Sequence, residues 1–219
     1  MAVDETKLNE MIGKVITDIG ATFHAPLVLI GEKLGLFKSL AAKKMNAEDL
    51  ATATGTAVRY VQEWLPAMGS GGYVSYDAEA GKYYLTEEQT MVLADEESPA
   101  YMPGAFQAAT AAIKSEPKIT EAFRTGAGVG WHEHDAELFH GTERFYKPLY
   151  KTNLVQNWIP ALNGVKQKFE AGALVADMVF RPFLWRRLFR CRILRVLIIM
   201  NLQSGLPKKG LWLPVFLIE

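Results

Sequence analysis

The sequence predicts a mainly α-helical fold with one small β-hairpin, followed by the first strand of an incomplete Rossmann-like α/β domain. Three observations support this expectation. Apolar residues recur three and four positions apart over most of residues 6–68, a hairpin pattern occupies residues 73–85, and a short apolar run ends in Asp177. The first pattern is typical of helices that pack on a core, and the last is typical of a buried parallel strand.

Two helices are predicted at the N-terminus. The first covers residues 6–19 and carries apolar side chains at helical spacing, namely Leu8, Met11, Ile12, Val15 and Ile19. The second is expected over residues 26–36, with Pro26 in its first turn, because proline is tolerated there.

Capping residues indicate the next two helices. Asn46 is the predicted N-cap of a third helix, which Gly55 ends. Thr56 is predicted to cap a fourth helix, which the glycine-rich residues 69–72 close. The apolar face of this fourth helix holds Val58, Val61, Trp64, Leu65 and Met68.

A β-hairpin is predicted next, with strands at residues 73–76 and 82–85 joined by a turn at residues 77–81. Thr86 is then predicted to cap a further helix toward Leu93. Helices followed by a hairpin give the element order of a winged helix-turn-helix. Residues 1–95 are therefore predicted to form such a domain.

Residues 96–171 are predicted to form a helical linker. Tyr146 and Tyr150 lie one helical turn apart in it and therefore share a face, a pairing that is more typical of a core than of a cofactor contact. The predicted helices of the linker cover about residues 100–114, 118–123, 142–157 and 163–171. After the linker, residues 172–177 are the predicted first strand of the α/β domain, and residues 178–219 form a basic, hydrophobic tail.

The charge of the first domain argues against DNA binding. Residues 1–95 contain 8 basic and 13 acidic side chains, and the predicted recognition helix offers only Arg59 as a cation. Neutralisation of phosphates supplies most non-specific affinity for DNA, and an acidic surface would repel them. A packing or dimerisation module is favoured instead, and the large apolar face of the N-terminal helices predicts a homodimer.

The pentapeptide WHEHD at residues 131–135 contains two histidines that could meet a cation together with His140. No zinc-protease spacing or Cys/His cluster accompanies them, so we expect no metal site. A loop that packs Trp131 is favoured, and a lid over a small-molecule pocket is the alternative.

The remaining composition limits the cellular context. The single cysteine, Cys191, excludes an internal disulfide framework, and the acidic N-terminus contains no signal peptide, so a cytoplasmic protein is expected. Residues 183–200 are apolar but contain five arginines, each of which would cost about 2.5 kcal/mol or more at the bilayer centre. A membrane-spanning helix is not expected there, whereas a basic helix on a membrane surface is not excluded.

The character of the chain changes abruptly after Asp177. Residues 1–177 contain 16 Lys and Arg against 23 Asp and Glu, a net charge of −7, whereas residues 178–219 contain 8 against 1, a net charge of +7. The first strand of a dinucleotide-type domain should run into a Gly-rich turn at a helix N-terminus. That turn is missing, because no glycine occurs between Gly172 and Gly205.

These features resemble the class I S-adenosylmethionine (SAM) dependent methyltransferases that carry an N-terminal winged helix, a type that includes bacterial small-molecule methyltransferases. The resemblance covers about residues 10–177. It is carried by HAPLVLIGEKLGLF at residues 24–37, by residues 131–150, and by ALVAD at residues 173–177.

The resemblance implies a small-molecule methyl acceptor and SAM as the cofactor. It implies that Asp177 lies beside SAM, and that Trp131, Tyr146 and Tyr150 belong to the stretch that covers the cofactor and acceptor pocket. The enzymes of this family continue for well over a hundred residues after the strand that ends in this aspartate, so we expect the chain to be truncated.

A shifted reading frame would explain the tail. When the last base of each codon is read with the first two of the next, residues 195–219 permit GFDYHEPSIRAAEERAVAAGFSDR, and its first glutamate is forced by Met200 and Asn201. This string is rich in Ala and Glu, as residues 1–177 are. We therefore expect that a deletion after Asp177 removed the SAM glycines and that the chain is inactive as written.

Two other functions stay open. The protein could be a non-enzymatic winged-helix dimerisation or regulatory module. It could also associate with a membrane surface or an acidic partner through the basic tail.

Overall fold

The computed structural model describes residues 3–171. The chain divides into two compact units, one that extends to Leu149 and one that starts at Tyr150. The expected mainly α-helical fold with a small two-stranded sheet is confirmed. The predicted strand at residues 172–177 and the tail at residues 178–219 lie outside the described residues.

The first unit begins with a winged-helix arrangement. Its helices and strands are α1 (Glu5–Lys33), α2 (Leu36–Ala42), α3 (Ala47–Thr54), α4 (Val58–Ser70), β1 (Ser75–Asp77), β2 (Lys82–Tyr84) and α5 (Glu87–Leu93). The strands form an antiparallel hairpin, as the sequence predicts, although β1 begins two residues later than expected. Within the hairpin Tyr76 pairs with Tyr83.

The N-terminal helix differs from the prediction, because α1 is one continuous helix and Pro26 lies inside it rather than in the first turn of a second helix. A proline inside a helix removes one backbone hydrogen bond. Burial of Ala25, Val28 and Gly31 on the same helix offsets that loss. Gly31 is required there, because a Cβ atom would lie 2.4 Å from the Trp64 ring.

Side-chain caps determine where two of the following helices begin, α3 and α5. Asn46 accepts a hydrogen bond from the Asp49 amide at 2.8 Å, and Thr86 and Gln89 form a reciprocal capping box, so both predicted caps are confirmed. The prediction for Thr56 was wrong: Ala57 is the N-cap of α4, and the Thr56 hydroxyl bonds to that of Thr54 at 2.9 Å.

The winged-helix elements enclose one hydrophobic core. Phe37 packs edge-to-face on Trp64 with ring centroids 5.2 Å apart. Large aliphatic side chains complete the core, and Leu40, Leu50, Leu65 and Met68 are all fully buried in it.

Three more helices follow in the first unit and at its boundary: α6 (Pro103–Ile113), α7 (Glu116–Thr125) and α8 (Ala136–Asn153), with a 3₁₀ turn at Trp131–Glu133 between the last two. The second unit contains a π-helical turn (Leu154–Trp158) and α9 (Val165–Glu170). The predicted helices of residues 96–171 are therefore present, although α8 begins six residues earlier than expected.

Among the described residues, α1 is long and apolar enough to cross a membrane, judged by length and composition alone. Core helices of soluble proteins meet the same criterion, and the C-terminal part of α1 is buried against the winged-helix core.

Candidate functional site

The turn at residues 131–135 is fastened to the start of α7. Lys114 forms an ion pair with Asp135 at 2.9 Å, and the Ser115 hydroxyl bonds to Nδ1 of His134 at the same distance. Lys118 adds a hydrogen bond to the backbone oxygen of Glu133. These contacts fix Glu133, His134 and Asp135 of the WHEHD sequence as structural parts of the turn.

The carboxylate of Asp135 is stabilised in its charged form. The hydrogen bond from Lys114 and the backbone N–H of Glu137 hold the pKa of Asp135 below its ordinary value.

Within residues 3–171, no group of three or more His, Cys, Asp or Glu side chains is placed to hold a metal ion.

Trp131 presents a large aromatic surface at this turn. Its ring packs edge-to-face on Phe139 with centroids 5.0 Å apart and lies 5.8 Å from the ring of His134. The side chain is nevertheless 57% exposed. The predicted packing of Trp131 in a loop is therefore partial, and most of the indole is available for contact.

The helix after this turn crosses α6 at very close range. A Cβ atom at Gly104 would lie 2.5 Å from the amide nitrogen of Phe145, and one at Gly141 would lie 2.4 Å from the amide nitrogen of Ala108. Glycine is required at both positions because the two backbones touch. This crossing determines how near α8 approaches α6.

A polar network, absent from the sequence prediction, also holds α8. Glu32 on α1 accepts hydrogen bonds from Arg144 on α8 and from the Tyr101 hydroxyl, and Arg144 also donates to Gln107 at 2.5 Å. Burial, together with the nearby Glu32 carboxylate, raises the pKa of Tyr101 well above its ordinary value. Burial opposes the charge of Arg144, but the bond to Glu32 outweighs it and raises the pKa of the guanidinium.

The four predicted site residues fall in three parts of the chain. Trp131 and Tyr146 lie in the first unit, where Tyr146 is 39% exposed and its ring contacts Phe145. Tyr150 lies in the second unit and packs edge-to-face on Trp158 at 5.2 Å. Asp177 lies outside the described residues. The role of all four in cofactor binding stays a prediction.

Comparison with known proteins identifies the first domain. The family model of the Rv2258c-like winged helix-turn-helix domain matches residues 23–95. Residues 23–95 are therefore similar to the winged-helix domains of that family. A search of curated sequences finds no significant match to the chain.

Solved structures extend the fold comparison beyond this domain. The mitomycin 7-O-methyltransferase MmcR matches 78% of this chain and 52% of its own, with a TM-score of 0.55 and 19% identity. CalO1, a methyltransferase of calicheamicin biosynthesis solved with SAH, matches 81% of this chain and 53% of its own, with a TM-score of 0.50 and 17% identity.

An O-methyltransferase family protein from Burkholderia thailandensis matches 81% of this chain and 50% of its own, with a TM-score of 0.50 and 12% identity. The chain thus has the fold of one part of these methyltransferases and spans about half of their length.

Proposed function

We propose that residues 3–171 are the N-terminal half of a SAM-dependent methyltransferase that acts on a small molecule. The observation that carries this proposal is the joint occurrence of an Rv2258c-like winged helix and the fold shared with MmcR over 78% of the chain. Winged helices occur in many proteins, but the shared fold also includes the helices that follow the domain.

The surface of the helical segment supports the proposal. Ile113 is 57% exposed, Phe123 is 88% exposed, and Trp131 is also largely exposed, although each is a large apolar side chain. Phe123 also lines a shallow apolar depression together with Ala112 and Ile119. Apolar side chains exposed together in this way are typical of a surface that another domain or ligand covers. The part of MmcR that this chain does not match would supply such a domain.

The SAM site itself would depend on residues after Asp177. By resemblance, Asp177 would lie beside SAM, and backbone N–H groups of a Gly-rich turn would approach the cofactor. The sequence contains no glycine between Gly172 and Gly205, so these residues do not fit the cofactor. We therefore propose that the chain as written does not bind SAM at micromolar concentration and does not catalyse methyl transfer.

The first test is to sequence the gene from the codon of Gly172 onward and to read all frames. The proposal predicts that the shifted frame stays open and encodes alternating helices and strands. A protein expressed from the restored frame should bind SAM in a calorimetric titration, whereas the chain as written should give no binding heat. Stops in the alternative frames, or micromolar SAM binding by the present chain, would contradict the proposal.

A dimerisation module is the second candidate function, and the exposed face of α1 favours it. Eight apolar side chains of α1 are more than 40% exposed in the single chain: Leu8, Met11, Ile12, Val15, Ile16, Ile19, Phe23 and Ile30. A second copy that buried this face would remove a large apolar area from water. We propose that two copies associate through α1.

Light scattering during size-exclusion chromatography tests this association. The double variant Ile12→Lys/Ile16→Lys should elute as a monomer, while Tyr60→Lys, which changes a still more exposed aromatic residue on α4, should keep the mass of the unmodified protein. A monomeric unmodified chain would exclude the α1 dimer without affecting the methyltransferase proposal.

DNA binding is a weaker candidate for this winged helix. Arg59, the basic residue of α4, forms an ion pair with Glu63 on the same helix. Its charge is therefore partly neutralised before any phosphate approaches. We propose that the domain serves packing and association instead.

A further inference from the structure

A chain of polar contacts joins the end of α1 to α8. Glu32 Oε1 accepts from Nη2 of Arg144 and from the Tyr101 hydroxyl, the latter at 2.9 Å. Nη1 of Arg144 donates to Oε1 of Gln107, whose Nε2 donates to Glu137 at 2.6 Å. We call Glu32, Tyr101, Gln107 and Arg144 the polar clamp.

The clamp is non-local and largely shielded from water. Its two charged members are 112 residues apart in the sequence, and their side chains are only 14% (Glu32) and 35% (Arg144) exposed. The second carboxylate oxygen of Glu32 is buried and has no hydrogen-bond partner within residues 3–171. The charge of this carboxylate therefore depends on Arg144, because a buried carboxylate without its partner is costly.

Hydrophobic burial fixes α8 only in part. Gly141 and Pro148 are the fully buried residues of this 18-residue helix, whereas its large apolar side chains Leu138, Phe139 and Phe145 are only half-buried. The contacts at Gly104 and Gly141 bring the backbones of α6 and α8 together, but a smooth glycine surface permits rotation and sliding. A directional contact is needed to select one position.

We propose that Arg144 is a positioning residue that fixes α8 against α1 and α6 through Glu32 and Gln107. Its planar guanidinium donates to acceptors on two different helices, which a single-point cation would not reproduce. Because α8 carries Phe139 and Tyr146 and directly follows the Trp131 turn, the clamp also places these aromatic residues. The functional importance of placing these aromatic residues rests on the proposed function of the segment, whereas the clamp itself does not.

Distances between spin labels test the positioning directly. In a full-length chain with Cys191→Ser, the distance between spin labels at positions 21 on α1 and 147 on α8 reports where α8 lies relative to α1. Labels at Ala21 and Ala53 on α3 report the winged helix. Arg144→Met should broaden and shift the distance distribution between 21 and 147 and leave the distribution between 21 and 53 unchanged.

A matched control separates this effect from the loss of any arginine. Arg59→Met breaks an ion pair between side chains that are 72% and 69% exposed, and it should change neither distribution. Arg144→Lys should give a broadened distribution as well, because lysine cannot serve both acceptors in one plane.

A double variant separates positioning from charge burial. In Glu32→Leu/Arg144→Met the uncompensated charge is gone, so resistance to urea should recover relative to Arg144→Met. The distance distribution between 21 and 147 should nevertheless stay broad, because the directional contact is still missing. A purely structural role would restore both properties together.

The outcomes are decisive without any measurement of activity or SAM binding. If Arg144→Met proves unfolded, Glu32→Gln, which keeps the shape and removes the charge, should broaden the same distribution. An unchanged distribution between 21 and 147 in the folded Arg144 or Glu32 variant overturns the proposal. Equal broadening of both distributions also overturns it, because the effect would then be general.

Discussion

The winged-helix domain and the helical segment that follows it, residues 96–149, are held together in different ways. Large apolar side chains such as Phe37, Trp64 and Leu65 fill the core of the first region. In α6 to α8 the buried residues are instead small or polar: Pro103, Gly104, Gln107, Ala111, Ser115, Gly141 and Pro148. Several large apolar residues of that segment, among them Ile113 and Phe123, are exposed, and others, such as Phe106 and Phe145, are only half-buried.

This difference separates a domain with its own hydrophobic core from a segment that, under the proposed function, another domain would cover. Burial of apolar surface is the main favourable contribution to folding, and the winged-helix domain obtains it internally. The helical segment keeps much of its apolar surface in water and relies on glycine contacts and the polar clamp. A region built in this way is suited to receive a further domain or a ligand.

The largest effect is expected from a change in the winged-helix core. Phe37→Ala removes a side chain that is 1% exposed and packs on Trp64, so it should lower the free energy of unfolding by about 3–5 kcal/mol. Urea unfolding followed by far-UV circular dichroism measures this loss. Phe123→Ala, at a position 88% exposed, should change stability by less than about 0.5 kcal/mol.

A smaller effect is expected at the glycine crossing of the helical segment. Gly141→Ala places a Cβ atom 2.4 Å from the backbone nitrogen of Ala108, so α8 must move and stability should fall by about 1–3 kcal/mol. Gly128→Ala is the matched control, because a Cβ atom there would meet nothing within 4 Å. Equal stability of the two variants in urea would mean that the close crossing is absent in solution.

The capping box of α5 should contribute less again. Thr86 accepts a hydrogen bond from the Gln89 amide at 3.2 Å, and Gln89 accepts one from the Thr86 amide at 2.9 Å. Thr86→Ala should cost about 1 kcal/mol in thermal unfolding, whereas Thr6→Ala, at an exposed position in the first turn of α1, should cost less. Indistinguishable melting temperatures would contradict the cap.

The smallest expected effect is a loss of stability of the 131–135 turn at acidic pH. The hydrogen bond from Lys114 lowers the pKa of Asp135 below its ordinary 3.8. The stabilisation that the charged Asp135 gives to the turn is therefore complete above pH 3.8 and is lost as the pH falls through the lowered pKa. Proteolysis at the 126–135 loop should therefore accelerate below about pH 3.8. The variant Asp135→Asn should show less of this acid dependence, and an identical pH profile would contradict the assignment.

The same contrast explains how far the sequence could predict the structure. The winged helix is encoded by local signals, and Asn46, Gly55 and Thr86 mark boundaries where they were expected. The predicted start of a second helix at Pro26 was wrong, because tertiary packing, which a local rule does not include, outweighs the loss of one hydrogen bond. Thr56 failed because its hydroxyl bonds to Thr54 instead.

The candidate site could be predicted only in part. The aromatic content of residues 131–150 is visible in the sequence, and Trp131 is indeed exposed. The clamp is not visible, because nothing in the sequence near Glu32 or Arg144 indicates a partner 112 positions away. Gly104 and Gly141, isolated glycines inside helices, were the available signal for the helix crossing.

Hydrogen exchange of the intact chain, measured by mass spectrometry, tests the contrast most directly. Amides of α3 and α4 should exchange at the rate set by global unfolding, whereas those of α6 and α7 should exchange about tenfold faster or more, because opening these helices exposes less buried apolar surface. Equal protection of the two regions would contradict the claim that the helical segment lacks a hydrophobic core of its own.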